Sequence, residues 1–474
     1  MKKYNLFKII GFMFLFVLLL TWLIPVGGYE NGTFITNGTS PVGIFDIIRV
    51  PIITFSNLIQ YGLLVLIIGG FYGVLNKTLV YANLVEKIKN KLNGKEKKFI
   101  IALMVILTTL SALIGVQSLF LIIAPFLITV ILELGFSKIV ALVSTFGSIL
   151  IGNICAIYGS STSYYINDKF HLSLNDEIIT KIIFFIIVVF IFVSFVMHNI
   201  SINKKDKKNK KESNDELIPL YENVKSKKSI LPLIVTFTIF MLILLISTIN
   251  WRGLFEINIF SELYNNLMTI KIGNYPIMAN ILSSINEFGA WNQYDVSILI
   301  ILMTICIGWL YSVKFDDFLE GYVSGAKQML LPAFYVILAN IVFVTLYRLQ
   351  MSENIYFTIT NFILTLFDGA KIIFMPLVSL IGAIFYPDLS SLATILSGVT
   401  ENIITDTTKY QLIGFIVQTM HGIMMLIIPT SMMLIMGLSY LKISFKEWFK
   451  YIWKLLLEIF IVTILVIIIV AIFV

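Results

Sequence analysis

Stretches of about twenty apolar residues, repeated along the chain and nearly free of charge, leave one solvent in which this sequence can fold. An α-helix needs roughly 20 such residues to cross the hydrocarbon core of a bilayer. Every backbone amide there must be paired within the protein, so spans of this kind are helices. Of the 474 residues, 58% are hydrophobic and 13% are charged, against roughly 25% charge in an ordinary soluble domain. Mean hydropathy is +0.94. The chain therefore reads as an all-α polytopic membrane protein. Its net charge of +7 is no nucleic-acid signal, because Lys gathers in two short loops, residues 76–98 and 200–228. That is where the positive-inside rule places cytoplasmic Lys. Cys155 and Cys306 lie in apolar runs and offer neither a disulfide framework nor a metal knuckle.

Charge and hydropathy together predict a topology. Lys2, Lys3 and Lys8 precede an apolar run to Pro25 with no small-residue cleavage site after it. This reads as a retained first span with a cytoplasmic N-terminus, and with the external loop behind it forms a leading segment, 1–55. A first repeat, 56–199, opens with the span Ser56–Leu75, whose Gly69, Gly70 and Gly73 suit close helix packing. The 36 residues Phe99–Leu134 are short for two spans, and their middle, SALIGVQS, is polar. They read as a re-entrant hairpin entered from the cytoplasm, about 99–134. Ile139–Tyr158 then runs outward into a broken helix, about 139–163, and Ile178–Met197 returns. Residues 200–228 carry nine Lys against five acids. They read as a solvated cytoplasmic linker, with binding of anionic lipid as a second role. Connecting spans fill 229–328 around an external loop, 250–294, and FLEGYVSGAKQMLLPAF (Phe318–Phe334) reads as a short cytoplasmic segment. A second repeat, 329–474, holds a span to Leu346, a hairpin entered from outside (about 354–400), a broken helix (about 412–438) and a last span, Leu455–Val474. The expectation is about nine spans plus two re-entrant hairpins in an inverted repeat, with two broken helices.

The two breaks carry the functional reading. GNICAIYGSSTS (Gly152–Ser163) puts two glycines, an asparagine and four consecutive hydroxyl side chains at the end of an apolar run. QTMHGIMMLIIPTS (Gln418–Ser431) puts Gly, polar groups and Pro inside another. Non-helical backbone at membrane depth survives only where protein buries it or a wet cavity adjoins it. Paired breaks in two halves point to the central site of a transporter. Half-helix N-termini at such breaks offer unpaired N–H groups to an anion. Ser and Thr hydroxyls can donate to a carboxylate or accept a dehydrated Na⁺. The topology places no Asp, Glu, Lys or Arg at mid-membrane, so no evident proton relay is expected. That favours a neutral or zwitterionic solute, or an anion held by dipoles. His421 is the one histidine placed deep in a span and reads as a pH-sensitive gate or a packed neutral ring.

Four stretches carry a family resemblance: TWLIPVGGYE with PVGIFD and LVLIIGGFYGVL; LSALIGVQ with APFLITV; FLEGYVSGAKQMLLPAF; and QTMHGIMMLIIPTS with SFKEWFKYIWKLLL. In this order, over nearly the whole chain, the sequence resembles the YfcC-like proteins of the anaerobic C4-dicarboxylate carrier group, within the ion-transporter superfamily. The resemblance implies a secondary carrier, often a homodimer, whose two hairpins and two broken helices hold the substrate. By position it implies Ser111, Gly115 and Gln117 from the first hairpin, and Asn153 with Ser160, Ser161, Thr162 and Ser163 from the first broken helix. Ser390 and Ser391 come from the second hairpin, and Thr430 and Ser431 from the second broken helix. Asn340 stands where relatives often place Arg, and His421 where an acid is common; both join the candidate site. Val116, Gln117 and Ser118 replace acidic residues, and Tyr158, Gly159 and Ser160 replace an Asn-Pro pair. A Na⁺ site is expected near Asn153, Ser160 and Thr430. The missing Arg argues against a doubly charged dicarboxylate.

The expected function is secondary active transport of a small organic solute (carboxylate, amino acid or small peptide) by alternating access. It is driven by Na⁺ or H⁺, or runs as exchange, across a bacterial cytoplasmic membrane, with no organic cofactor and no nucleic-acid partner. The bacterial setting rests on abundant Lys, Ile and Asn, with Arg only at Arg49, Arg252 and Arg348. The alternative is a polytopic enzyme acting on lipid-linked or glycan substrates. The loop 250–294 offers Arg252, Glu256, Glu262 and Glu287 for it, without a spaced His–Asp pair. Nor does the chain hold a Walker motif, metal-ligand spacing or nucleophile elbow. It therefore reads as a non-enzyme.

Overall fold

The computed structural model describes residues 5–30, 32–115, 117–157, 161–173, 175–200, 218–224, 226–347, 355–366 and 371–473, with the backbone alone at 117, 118, 161, 347 and 473. The chain opens with α1 (Asn5–Leu23), a two-stranded antiparallel hairpin of β1 (Gly27–Glu30) and β2 (Thr33–Thr36), and the 32-residue α2 (Asp46–Lys77). Next come α3 (Tyr81–Leu92), α4 (Glu96–Ile114) and α5 (Gln117–Glu133). A short α6 (Lys138–Leu142) passes through a π-turn, Val143–Gly147, into α7 (Ser148–Ile154), followed by α8 (Ser161–Lys169) and α9 (Ile178–Asn199). After the basic linker stand α10 (Leu231–Thr248), three short helices α11 (Trp251–Phe255), α12 (Ile259–Met268) and α13 (Ile277–Leu282), and α14 (Gln293–Leu310). Then follow α15 (Phe315–Gln328), α16 (Leu330–Leu338), α17 (Ile341–Tyr347), α18 (Ile355–Leu366), α19 (Lys371–Phe385) and α20 (Leu389–Ile403). The chain closes with α21 (Tyr410–Met425), α22 (Met432–Leu441) and α23 (Phe445–Phe473).

Among the described residues, seven helices are long and apolar enough to cross a bilayer: α1, α2, α4, α9, α10, α14 and α23. A pair bent by 45°, α15 with α16–α17, makes an eighth. Taking α4 as a hairpin arm and each broken helix as one span brings the same set to nine. The protein is therefore an all-α polytopic membrane protein. α2 is its central helix: 67% of its most apolar window is buried, against 22% for α9 and α10, whose outer faces meet lipid.

Glycines explain that centrality. A Cβ on Gly73 would fall on the Gly321 carbonyl oxygen, and one on Gly69 would lie 2.6 Å from the Gly325 carbonyl oxygen. One on Gly62 would lie 3.3 Å from the Ala333 carbonyl oxygen. As numbers rise along α2 they fall along α15 and α16, so the two segments run antiparallel with their backbones in near contact. Small residues four apart on both helices let the ridges close, a packing mode suited to lipid, where no hydrophobic drive is available. Lys77 Nζ, 3.1 Å from Glu320 Oε2, closes the polar end of the seam.

Here the structure corrects the sequence reading. Phe318–Phe334 is no short connecting segment; it is helix, and its glycines Gly321 and Gly325 form half of the seam. The stretch 354–400, expected to form a second hairpin, holds the helices α18 and α19 and most of α20. α19 and α20 meet at a tip formed by Pro387 and Asp388, and α18 stands before them as a separate helix. The end of the basic linker is not solvated throughout. Leu220 and Tyr221 are buried, and Asn76 and Gln328 hold Leu220 by hydrogen bonds of 3.2 and 2.9 Å.

Gly73→Leu is expected to destabilise the protein by ~1–3 kcal/mol, the usual cost of overpacking. Gly11→Ala, where nothing lies within 4 Å, should be neutral. Thermal unfolding of both variants in detergent checks this; equal melting temperatures would remove the seam from the account.

Candidate functional site

Each broken helix stops for a local reason and is then completed by its neighbours. α7 ends at Ile154, and the backbone runs unwound through Cys155, Ala156 and Ile157. Three groups left open by that break find partners. Ile157 N–H donates to the Ala112 carbonyl (3.1 Å), and Ser163 Oγ donates to the Ile157 carbonyl (2.9 Å). Gln418 Nε2, from the other broken helix, donates to the Ala156 carbonyl (2.9 Å). In the second break, residues 426–431, Trp448 Nε1 donates to the Leu426 carbonyl (2.7 Å). The two broken helices cross at Gly422, where a Cβ would lie 2.8 Å from Ile154 Cα.

A cavity of about 300 Å³ opens beside that crossing. Gly115 reaches it from the end of α4, Asn153 from α7, Thr162 from α8, Asp388 from the head of α20, His421 from α21 and Ser431 from the head of α22. Tyr61 of α2, Tyr165 of α8 and Gln293 of α14 complete its polar wall. Gly115 ends α4 in the left-handed region (φ 66°), with its N–H donating to the Ser111 carbonyl at 3.0 Å. Only glycine turns there without strain.

Ser111 does not line the cavity; it fixes a residue that does. Its Oγ lies 2.7 Å from the Ile149 carbonyl and 3.0 Å from Asn153 Oδ1. The single Ser111 hydroxyl proton goes to the nearer Ile149 carbonyl, and Oγ holds one end of the Asn153 amide while the other faces the cavity. His421 Nε2 lies 3.1 Å from the Pro387 carbonyl. A carbonyl only accepts, so this bond requires the proton on Nε2, and it ties α21 to the tip of the second hairpin. Asp388 caps α20: Oδ2 accepts from Ser391 N–H at 3.0 Å and Ser391 Oγ at 2.9 Å. Asp388 carries the one carboxyl group among the described residues lining the cavity, and it lies within electrostatic reach of His421, Tyr61 and Tyr165.

The cavity thus gathers Gly115, Asn153, Thr162, His421 and Ser431 from the sequence-based set, with Ser111 and Ser391 one hydrogen bond behind them. Asn340, Ser390 and Thr430 stand elsewhere. Asn340 is buried between α16 and α17 and bonds the Val336 carbonyl (3.3 Å); the Ser390 carbonyl accepts from Thr394. Thr430 Oγ1 is buried with no hydrogen-bond partner among the described residues. Ser160 and the side chains of Gln117 and Ser161 lie outside the described residues. Of the three residues expected near a Na⁺, Asn153 lines the cavity, Thr430 is not among its lining residues and Ser160 lies outside the described residues. Asp388, Tyr61, Tyr165 and Gln293 were missed. For Asp388 a signal existed: an acid after Pro387 and before an apolar helical run is a helix N-cap.

A family model described as C4-dicarboxylate anaerobic carrier, DcuC, matches residues 4–472. The chain belongs to that family. Among solved structures, the YdaH transporter of Alcanivorax borkumensis is similar at 10% identity, with 98% of each chain covered and a TM-score of 0.40. No curated protein matches the sequence significantly. The family resemblance seen in the four sequence stretches therefore holds, and C4-dicarboxylate carriers of this kind are secondary transporters.

Gln418→Met should leave the Ala156 carbonyl unpaired in a buried break and cost ~1–3 kcal/mol. The melting temperature in detergent should fall accordingly, and an unchanged value would show that the crosswise bond does not hold the break.

Proposed function

We propose that the protein is an ion-coupled secondary transporter carrying a small organic solute with a single carboxylate, or a zwitterion, across a bacterial cytoplasmic membrane by alternating access. The observation that carries this reading is the cavity itself. Both helix breaks and both hairpin tips converge on it. Helices α8, α20 and α22 all begin at its wall, so three positive helix ends face one space. A carboxylate gains there from N–H groups and from the hydroxyls of Thr162 and Ser431.

Asp388 decides the rest. Among the described residues no Lys or Arg lines the cavity, so a solute's second carboxylate would meet Asp388 with no basic side chain to compensate it. At ~5 Å and an effective dielectric of 20, two such charges repel by about 3 kcal/mol. A solute ammonium, a Na⁺ or a proton at Asp388 relieves that repulsion, which makes Asp388 with its neighbour His421 the seat of coupling. The order long helix, hairpin, broken helix, helix occurs in α2–α9 and again in α15–α23. We take these as two inverted halves, with the Lys-rich loops and the N-terminus cytoplasmic.

Uptake into proteoliposomes tests the proposal, with labelled amino acids, dipeptides and C4-dicarboxylates under an imposed Na⁺ or pH gradient. Accumulation is expected under one gradient, with amino acids or monocarboxylates preferred. Asn153→Ala should lower it roughly tenfold or more, the size of a lost hydrogen bond to a charged group. Asp388→Asn should uncouple it from the gradient. Preference for a dicarboxylate dianion would overturn the role given to Asp388. No accumulation by folded protein under either gradient would overturn coupled transport.

A further inference from the structure

A second cavity, of about 380 Å³, shares no lining residue with the first. It is a groove between the end of α2, α3, the arm α5 and the start of α10, walled by Leu75, Leu84, Phe126 and Phe237. Lys87 and Lys91 stand at its mouth, one turn apart on the same face of α3, both exposed. Between them in sequence, Lys89 is already paired with Glu133 at 2.8 Å. Among the described residues, neither Lys87 nor Lys91 has an acid within ion-pair distance.

We propose that this groove is a binding site for one anionic phospholipid, its phosphate on Lys87 and Lys91 and an acyl chain along Leu75, Leu84, Phe126 and Phe237. Charge complementarity selects this occupant. A soluble anion would satisfy the lysines and leave the apolar wall wet. A neutral lipid would fill the wall and leave two free ammonium groups at the mouth. An anionic phospholipid does both at once, as basic pockets between spanning helices do for such headgroups. The bilayer supplies it directly, because the face of α10 beside the groove carries exposed Ile234, Val235 and Ile239. The bound lipid bridges two parts of the protein, with α2 and α10 on one side and α3 and the hairpin arm α5 on the other. This site stands whether or not the central cavity transports the solute proposed above.

The test is native mass spectrometry of delipidated full-length protein, titrated with phosphatidylglycerol and separately with phosphatidylcholine. One phosphatidylglycerol should be retained preferentially and should raise the melting temperature. Lys87→Glu with Lys91→Glu should weaken retention roughly tenfold or more. The same reversal at exposed Lys95 and Lys97 should not. Thr238→Trp plugs the groove from an exposed position on α10, leaves the charges in place and should also displace the lipid. Equal retention of both lipids would overturn the site. So would equal loss on reversing Lys95 and Lys97, which would make the basic loop a diffuse attractor. A mass shift to dimer that excludes lipid would assign the groove to a second copy of the chain.

Discussion

Backbone that leaves the helix inside a bilayer has to be paired by something other than its own helix, and this fold meets that demand crosswise. The carbonyl freed at Ala156 in one broken helix is taken by Gln418 of the other. The N–H freed at Ile157 is taken by Ala112 near the tip of the first hairpin. Trp448, from the last helix, takes the carbonyl freed at Leu426. Neither break stands by itself. An unpaired amide in an apolar medium costs several kcal/mol, so the breaks, the hairpin tip and α23 are held in one arrangement by the same few bonds.

That arrangement explains why the polar groups of the cavity sit where they do. Helices can start at its wall only because the chain is broken there, and each start brings N–H groups with it. Asp388 offsets one of them by capping α20 through Ser391. The remaining polar side chains are two amides, hydroxyls and the His421 ring held on the Pro387 carbonyl. The site therefore pairs positive helix ends with one acidic side chain. That balance is the physical basis for proposing a carboxylate and a cation as joint occupants.

Much of this was legible in the sequence, for physical reasons that also mark the limit. Apolar run length and Lys placement specify spans because lipid tolerates little else, and the breaks at Gly152–Ser163 and Gln418–Ser431 stood out as polar, Gly-bearing text in apolar runs. Asn153, Thr162, His421 and Ser431 followed from them and do line the cavity. Gly321 and Gly325 were misread because their helix also carries Asp316, Asp317, Glu320 and Lys327, a composition that hydropathy scores as loop. What settles α15 as helix in the seam is a partner more than 200 residues away, Gly69 and Gly73, and no local pattern reports that pairing. Asp388 was passed over for a related reason. Hydropathy treats an acid as the edge of a span, whereas here it caps a helix that begins at the cavity wall.

The same packing suggests how access to the cavity changes. α2 and α15 are locked backbone to backbone, a contact with no slack. The cavity-lining elements pack instead on one another: α4 on α7 through Gly152, where a Cβ would lie 2.5 Å from Ser111 Cβ, and α21 on α7 through Gly422. Between the two sets, Met432, Met433 and Met436 of α22 face Tyr61 and Val65 of α2 and Val336 of α16 around a void of about 50 Å³. Methionine is the side chain that repacks most easily. Tyr61 and Gln293 belong to the locked set and close one side of the cavity, while Asn153, Asp388 and Ser431 belong to the other. Sliding along the methionine face would carry the cavity past Tyr61 and Gln293 without breaking any bond that completes the two breaks. In the transport cycle proposed above, the rigid seam would give the solute site a wall to move against and the soft face would let it move.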